Sequence, residues 1–274
     1  MLELVEARIL SEQLNETVVG KRITKVVAAY SPHKFAFFHG DPNQYNELMT
    51  GKLLTKAAPN GGQVEIQIED TYLVLGDGVS MQYLAKDAKR PLKHQLLIEF
   101  EDFTALSASV QMYGFLWGFK EGELDNKYYL LAKEKPSPLS EAFNYDYFTG
   151  ILTGQGMEKL SAKALLATEQ RIPGLGNGML QDILYHAGIH PKRKLQTMSE
   201  SERIKLFTSI KSTLTEMLHQ GGRDTEKDLF GKNGGYRTRL SKNTVGRPCP
   251  VCQTLIAKEA YLGGSIYYCS GCQH

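Results

Sequence analysis

CPVCQTLIAKEAYLGGSIYYCSGC, residues 249–272, sets two CxxC knuckles on either side of sixteen intervening residues. All four cysteines of the chain, Cys249, Cys252, Cys269 and Cys272, lie in it. A CxxC turn presents two thiolates on one edge, and two such turns at this separation close a tetrahedral zinc site on a β-hairpin. Two disulfides or four unrelated buried thiols are the competing readings. The chain opens without a charged segment and apolar run of secretory type, which favours a reducing compartment and the metal. Four sulfur ligands leave no position for water, so a single Zn2+ ion here would be structural and the hairpin a scaffold.

Upstream of the hairpin the hydrophobic period changes once. Between about residues 20 and 120 it is strand-like: Val64, Ile66 and Ile68 alternate with Glu65, Gln67 and Glu69, and Leu96, Ile98 and Phe100 with Leu97, Glu99 and Glu101. Packing of two sheets would bury such strands. From about residue 138 to 220 the period is helical, with segments around 140–152, 159–168, 178–187 and 199–219. The tract 133–138, with two prolines and alternating charge, reads as a linker, and a helix over about 2–14 precedes the strands. The class is therefore α+β, divided as 1–132, 133–240 and 241–274. No apolar run approaches the roughly 20 residues needed to cross a bilayer, so a soluble protein is expected. Net charge over the 274 residues is +2, but the last 55 carry +4, so positive charge gathers around the finger and −2 is left for the rest.

Residues 173–178, PGLGNG, precede an amphipathic helix that ends near Gly188. Glycines free the backbone N–H groups and a helix start adds partial positive charge, so a phosphate could rest on this loop. A nucleotide cofactor is excluded: no strand precedes the loop, the GxGxxG spacing is absent and no Lys-Ser or Lys-Thr follows. Lys163 in the preceding helix, Gly176 and Asn177 in the loop, and His190, Lys192, Arg193 and Lys194 beyond it suit a grip on a nucleic-acid backbone that ignores sequence.

MLELVEARIL at 1–10, PLSEAF at 138–143, the lysine-bearing helix with IPGLGNGMLQDILYHAGIHP at 172–191, GG at 221–222 and the CPVC…YYCSGCQ end together resemble the formamidopyrimidine-DNA glycosylase and endonuclease VIII family. The resemblance runs nearly end to end and is weakest across the strands. It implies an N-terminal β-sandwich, a helix-two-turn-helix domain, a four-cysteine zinc finger, and double-stranded DNA with a damaged base or abasic site bound between them. It also implies repair: a damaged base is flipped out, its glycosidic bond is cut, and the strand is often nicked. A bacterial, cytoplasmic, nucleoid-associated monomer is the corresponding expectation.

By the same resemblance, Glu3 matches the acid/base glutamate, and Glu6 a second acidic position on its helix. Lys163 and Asn177 match phosphate-holding residues. Tyr113, beside Met112 in VQMYG, and Val79 in GDGVS match side chains that fill the hole left by an extruded base. The basic, glycine-rich stretch 221–240, with Arg223, Lys227, Lys232, Arg237 and Arg239, corresponds to a mobile loop closing over that base. Three positions depart from the family pattern. Leu2 stands where the family exposes a nucleophilic proline, which displaces the amine of a retained Met1 by one residue. Gln63 stands at a hairpin lysine, with Lys56 as the alternative register. Gly264 replaces the finger arginine. A glycosylase that uses water at Glu3 is the leading expectation, a non-catalytic binder of damaged or abasic DNA the second, and RNA or ribosome binding the third.

Overall fold

The computed structural model describes residues 1–274. Its first helix, α1 (Leu4–Thr17), begins two residues later than the periodicity predicts, because Glu3 is extended, at φ −124° and ψ −178°. There follow β1 (Ile23–Ala28), β2 (Ala36–Phe38), α2 (Tyr45–Met49), β3 (Leu54–Asn60), β4 (Gln63–Ile68), β5 (Thr71–Leu84), β6 (Leu96–Phe100) and β7 (Ala105–Lys120). The predicted alternation is seen in β4, where Val64, Ile66 and Ile68 are buried. The strands form one hydrogen-bonded network rather than two separate sheets, in the order β1-β6-β7-β5-β4-β3, with β2 parallel to β7. Continuity comes from β5 and β7, of 14 and 16 residues, which are long enough to run through the whole body and pair over almost their full length. A bulge between Asp77 and Val79 shifts their register.

Next come α3 (Lys127–Glu134), α4 (Tyr145–Leu152), α5 (Ala162–Ala167), α6 (Asn177–Ala187) and α7 (Glu200–His219). Helix α3 runs into the first residues of the expected linker. Its start is fixed by Asn126, whose side chain accepts from the N–H groups of Tyr128 and Tyr129. Helix α4 starts five residues later than expected because Asn144 caps it. A reciprocal capping box of Ser199 and Glu202 opens α7, and Gly188, at φ +70°, ends α6 in the left-handed conformation that glycine adopts without strain. The hairpin β8 (Ala257–Tyr261) and β9 (Gly264–Tyr268) completes the chain.

Two cores lie side by side, and α1 joins them. Its Ala7, Leu10 and Leu14 enter the core under the strands, whereas Leu4 and Val5 enter the core of the helical half. Each fully buried leucine there stabilises the fold by about 1.5–3 kcal/mol. The stretch 221–240 also contributes to both: Leu229 sits in the strand core and Tyr236 in the helical core. The stretch expected to be a mobile loop is thus anchored at Arg223, Leu229 and Tyr236, with exposed residues between the anchors. Besides these anchors, Tyr83 N–H donates to Leu229 O at 2.8 Å and Leu229 N–H to Gln13 Oε1 at 3.0 Å. The glycines that suggest mobility serve tight packing instead. A Cβ at Gly234 would lie 2.1 Å from Gly222 O. No helix is long and apolar enough to cross a membrane.

Candidate active site at the meeting of strands, helices and hairpin

Residues 1–4 cross between the two cores as an extended segment held from both sides. Leu2 N–H donates to Asp77 O at 2.6 Å, on the bulge of β5, and Leu4 N–H donates to Gly174 O at 2.8 Å, in the PGLGNG loop. The intervening Glu3 does not cap its own helix. Its carboxylate caps α6, accepting from Gly178 N–H at 2.7 Å and Met179 N–H at 2.9 Å. The loop amides that suggested a phosphate site are thus occupied by a carboxylate brought from the other end of the sequence. The glycines are explained by that approach: a Cβ at Gly176 would fall 2.6 Å from Glu3 Cδ, and one at Gly178 would fall 1.7 Å from Arg223 Nη1.

Arg223 is the unforeseen member of this group. It is 2 % exposed and grips Glu6 in a two-pronged bond, Nε to Oε1 and Nη2 to Oε2, both at 2.8 Å. Its Nη1 lies 3.6 Å from Glu3 Oε1. Such a fork fixes both direction and distance, which a lysine cannot do. Burial pushes the Glu3 carboxyl above its ordinary range and Glu6 adds to the rise, while Arg223 and the two amides pull it back; the net displacement is upward. A carboxylate raised in this way is a stronger proton acceptor than an exposed one.

Glu3 faces a cavity of about 660 Å³ bounded by the bulge of β5, the β3–β4 turn, β7, the α5–α6 loop and the tip of the hairpin. Met1, Leu2, Gly176, Asn177, Lys163, Tyr113, Gln63 and Gly264 all border it. Of the two candidates for the hairpin position, Gln63 lines the cavity, whereas Lys56 is exposed on β3 outside it. Opposite stands an aromatic wall of Phe37, Phe115, Trp117 and Tyr128, with Phe115 and Trp117 stacked at 4.0 Å. Two bordering polar atoms, Gln63 Oε1 and Asn177 Oδ1, are buried without any hydrogen-bond partner. Unpaired acceptors of this kind are costly unless a ligand or water completes them.

The remaining expectations divide. Val79 is 3 % exposed within the strand core and cannot fill a void in DNA; the bulge turns Asp77 to the cavity and Val79 away. Met112 projects into solvent at 70 % exposure, outside the cavity lining. Arg239 is exposed elsewhere, its backbone N–H bound to Asp182 Oδ2. Glu6 is buried against Arg223 and does not border the cavity. The Met1 amine is ion-paired with Glu226. Of the basic run after α6, Lys192 pairs with Glu259, Arg193 bonds Thr197, and Lys194 bonds Lys159 O, so these cations brace neighbouring elements. Arg223, expected only as one cation of the 221–240 stretch, and Asp77, not singled out at all, are the functional residues that the sequence reading did not identify. An acid between two glycines inside the apolar run LVLGDGVSM was the available signal for Asp77.

The hairpin docks on α5 and α6 through the two residues expected to hold phosphates. Lys163 Nζ donates to Tyr261 O at 2.5 Å, and Asn177 Nδ2 to Ser265 O at 2.8 Å. Gln181 joins them, donating to Ser265 O at 3.1 Å and accepting from Tyr267 N–H at 3.0 Å. Gly264 lies against this pair: a Cβ there would sit 3.4 Å from Lys163 Nζ. Behind the tip, the four cysteines are free thiols whose sulfurs all lie within 4.8 Å of one another. Cys249 and Cys272 are 3.7 Å apart, and Cys252 and Cys269 3.3 Å. Tetrahedral zinc–thiolate bonds of about 2.3 Å need sulfurs about 3.8 Å apart, so this donor set fits one metal ion.

The family model described as formamidopyrimidine-DNA glycosylase H2TH domain matches residues 135–228. Among relatives, the chain is 28 % identical over 283 residues to a formamidopyrimidine-DNA glycosylase of Hydrogenovibrio crunogenus, covering all of this chain and 96 % of that one. It is 31 % identical over 194 residues to the protein of that name from Prochlorococcus marinus (strain MIT 9312), covering 68 % of this chain and 65 % of that one. In fold it is similar to the MutM (Fpg) protein of Thermus thermophilus, with TM-score 0.80 and 22 % identity over 99 % of this chain and 98 % of that one. The Lactococcus lactis Fpg bound to abasic-site DNA superposes with TM-score 0.83 and 23 % identity over 99 % of both chains.

Proposed function

We propose, from the premise that this chain belongs to the formamidopyrimidine-DNA glycosylase and endonuclease VIII family, that it is a DNA repair glycosylase using Glu3 to activate water against the sugar of a flipped, damaged nucleotide. The observation that carries the reading is the lodging of the Glu3 carboxylate, held by the α6 amides and Arg223, at the edge of a cavity that can admit one nucleotide. The same carboxylate, 3 % exposed, also caps α6 and pairs with Arg223, and it reaches the cavity while doing so. Tyr113, with Gln63 and Asn177 beside it on the cavity lining, supplies stacking and polar surface for the extruded nucleotide. Zinc, held by the four thiolates, is structural.

In this reading water attacks C1′, Glu3 accepts its proton, and the base departs with the electrons of the glycosidic bond. Leu2 offers no ring amine, and the Met1 amine is engaged with Glu226. Strand nicking through a Schiff base is accordingly inefficient.

Duplexes carrying oxidised purines, oxidised pyrimidines or an abasic site, incubated with and without borohydride, test the proposal. Base release without a trapped adduct is expected, and a trapped adduct would overturn the water route. Glu3→Gln should retain binding to abasic duplex while base release falls by about 10²–10⁴-fold. Tight binding with no release by the wild-type protein would instead identify a non-catalytic binder. Affinity for duplex should fall by about 10³- to 10⁵-fold between about 50 and 200 mM salt, as for about six to ten phosphate contacts. A titration flat in salt would remove any nucleic-acid role.

A further inference from the structure

We propose that Asp77, which lines the same cavity as Glu3, is the proton donor to the departing base. The inference rests on the glycosylase reading and adds to it a second catalytic group.

Asp77 occupies an unusual backbone position. It stands at φ +59°, in the left-handed region, at the register shift of β5. A non-glycine residue in that conformation at a bulge is a side chain re-aimed at some local cost. The redirected carboxyl borders the cavity, while its own carbonyl accepts Leu2 N–H at 2.6 Å and so fixes the residue preceding Glu3. The two acids are thus locked to one another through a single peptide.

Their surroundings differ in kind. Glu3 has an arginine and two amide N–H groups that favour its anion. No protein hydrogen bond or ion pair satisfies the Asp77 carboxyl, and burial alone pushes its pKa upward. The ionisable groups about it are Glu3 and the Met1 amine on the side of α1, Tyr113 on β7, and Lys163 and Glu169 across the cavity. An unpaired anion there would repel an incoming nucleotide, whereas a neutral acid donates. Burial raises both carboxyls, but only Glu3 is met by hydrogen-bond donors, so the geometry gives Glu3 the acceptor role and leaves Asp77 as the group free to donate. A second polar group lies beside it: Gln63, 7 % exposed, lines the cavity from the position paired with Gly76, and its buried Oε1 has no partner.

The step balances. Water bonds to C1′ and gives a proton to Glu3; the C1′–N bond breaks, its electrons pass to the base, and the Asp77 proton neutralises that nitrogen. Asp77 and Glu3 then exchange protonation with solvent.

The test compares wild type with Asp77→Asn and Asp77→Gly, two residues that tolerate positive φ. Base release from a duplex with one oxidised base should fall by about 100-fold in both, with binding to abasic duplex unchanged. Wild-type release should decline at high pH as Asp77 ionises, and that decline should vanish in Asp77→Asn. Sodium formate, whose acid can occupy the vacated space in Asp77→Gly, should partly restore release, more so at lower pH. Release by Asp77→Asn within about threefold of wild type, or an unaltered alkaline decline, overturns the proposal while leaving the Glu3 reading intact. A wild type that releases no base from any duplex overturns both.

Discussion

Arg223→Ala will remove about 3–5 kcal/mol of stability and nearly all base release, although Arg223 borders no part of the cavity. The guanidinium is the sole positive side chain bonded to the Glu3 and Glu6 carboxylates. Without it two buried acids face each other uncompensated, and each holds its proton more tightly. A folded-state pKa above the unfolded value contributes stability below the unfolded pKa, lost as pH rises through the folded one. The variant should therefore lose more stability relative to wild type at pH about 8 than at about 5. Urea unfolding at the two pH values measures this, and a loss under about 1 kcal/mol at both would refute the clamp. Arg223→Lys keeps the charge but not the fork, so it should recover much of the stability and little of the rate. The acid limb of its pH–rate curve should also move upward, a displacement that a merely structural arginine would not cause.

Removing metal from the four-cysteine site should have a larger effect with a different reach. Four thiolates that bind one ion contribute about 10–16 kcal/mol of apparent binding energy, most of which is folding energy of the hairpin. The four cysteines do not border the cavity, yet Lys163, Asn177 and Gln181 are oriented by carbonyls of the hairpin at Tyr261 and Ser265. Chelation should abolish hydrogen-exchange protection over residues 247–274, release those side chains and weaken duplex binding by an order of magnitude or more. The strand core shares no contact with the thiolates and should retain its unfolding transition. Protected hairpin amides in metal-free protein would disprove the dependence. Metal analysis of the purified chain decides whether the ion is zinc.

These two predictions bear differently on what the sequence made legible. The finger was readable because its chemistry is local, as all four ligands fall within 24 residues. The helices α6 and α7 were readable for the same reason, their periods and caps being written in neighbouring residues. Glu3 was readable only through the family resemblance, since nothing local marks a glutamate before a helix as anything but a favourable charge at its start. Arg223 was misread because its partners lie 217 and 220 positions away, so a buried clamp looked like one more cation in a glycine-rich basic stretch. Val79 and Asp77 exchanged roles because a bulge adds one residue to a strand and inverts the faces beyond it, which alternation alone does not disclose. The glycine loop had the amides of an anion site, and the anion proved to be internal.

The stretch 221–240 has a wider consequence. With Leu229 among the strands, Tyr236 among the helices and Arg223 buried on Glu3 and Glu6, it ties the two cores to one another beside the catalytic acid. A groove that does not hinge shut leaves the deformation to the nucleic acid, which must bend and unstack before a sugar can reach Glu3. Weakly stacked or mispaired sites yield at lower cost than sound ones. A tie of this kind would then itself select damage, ranking sites by the compliance of the double helix before any base is read.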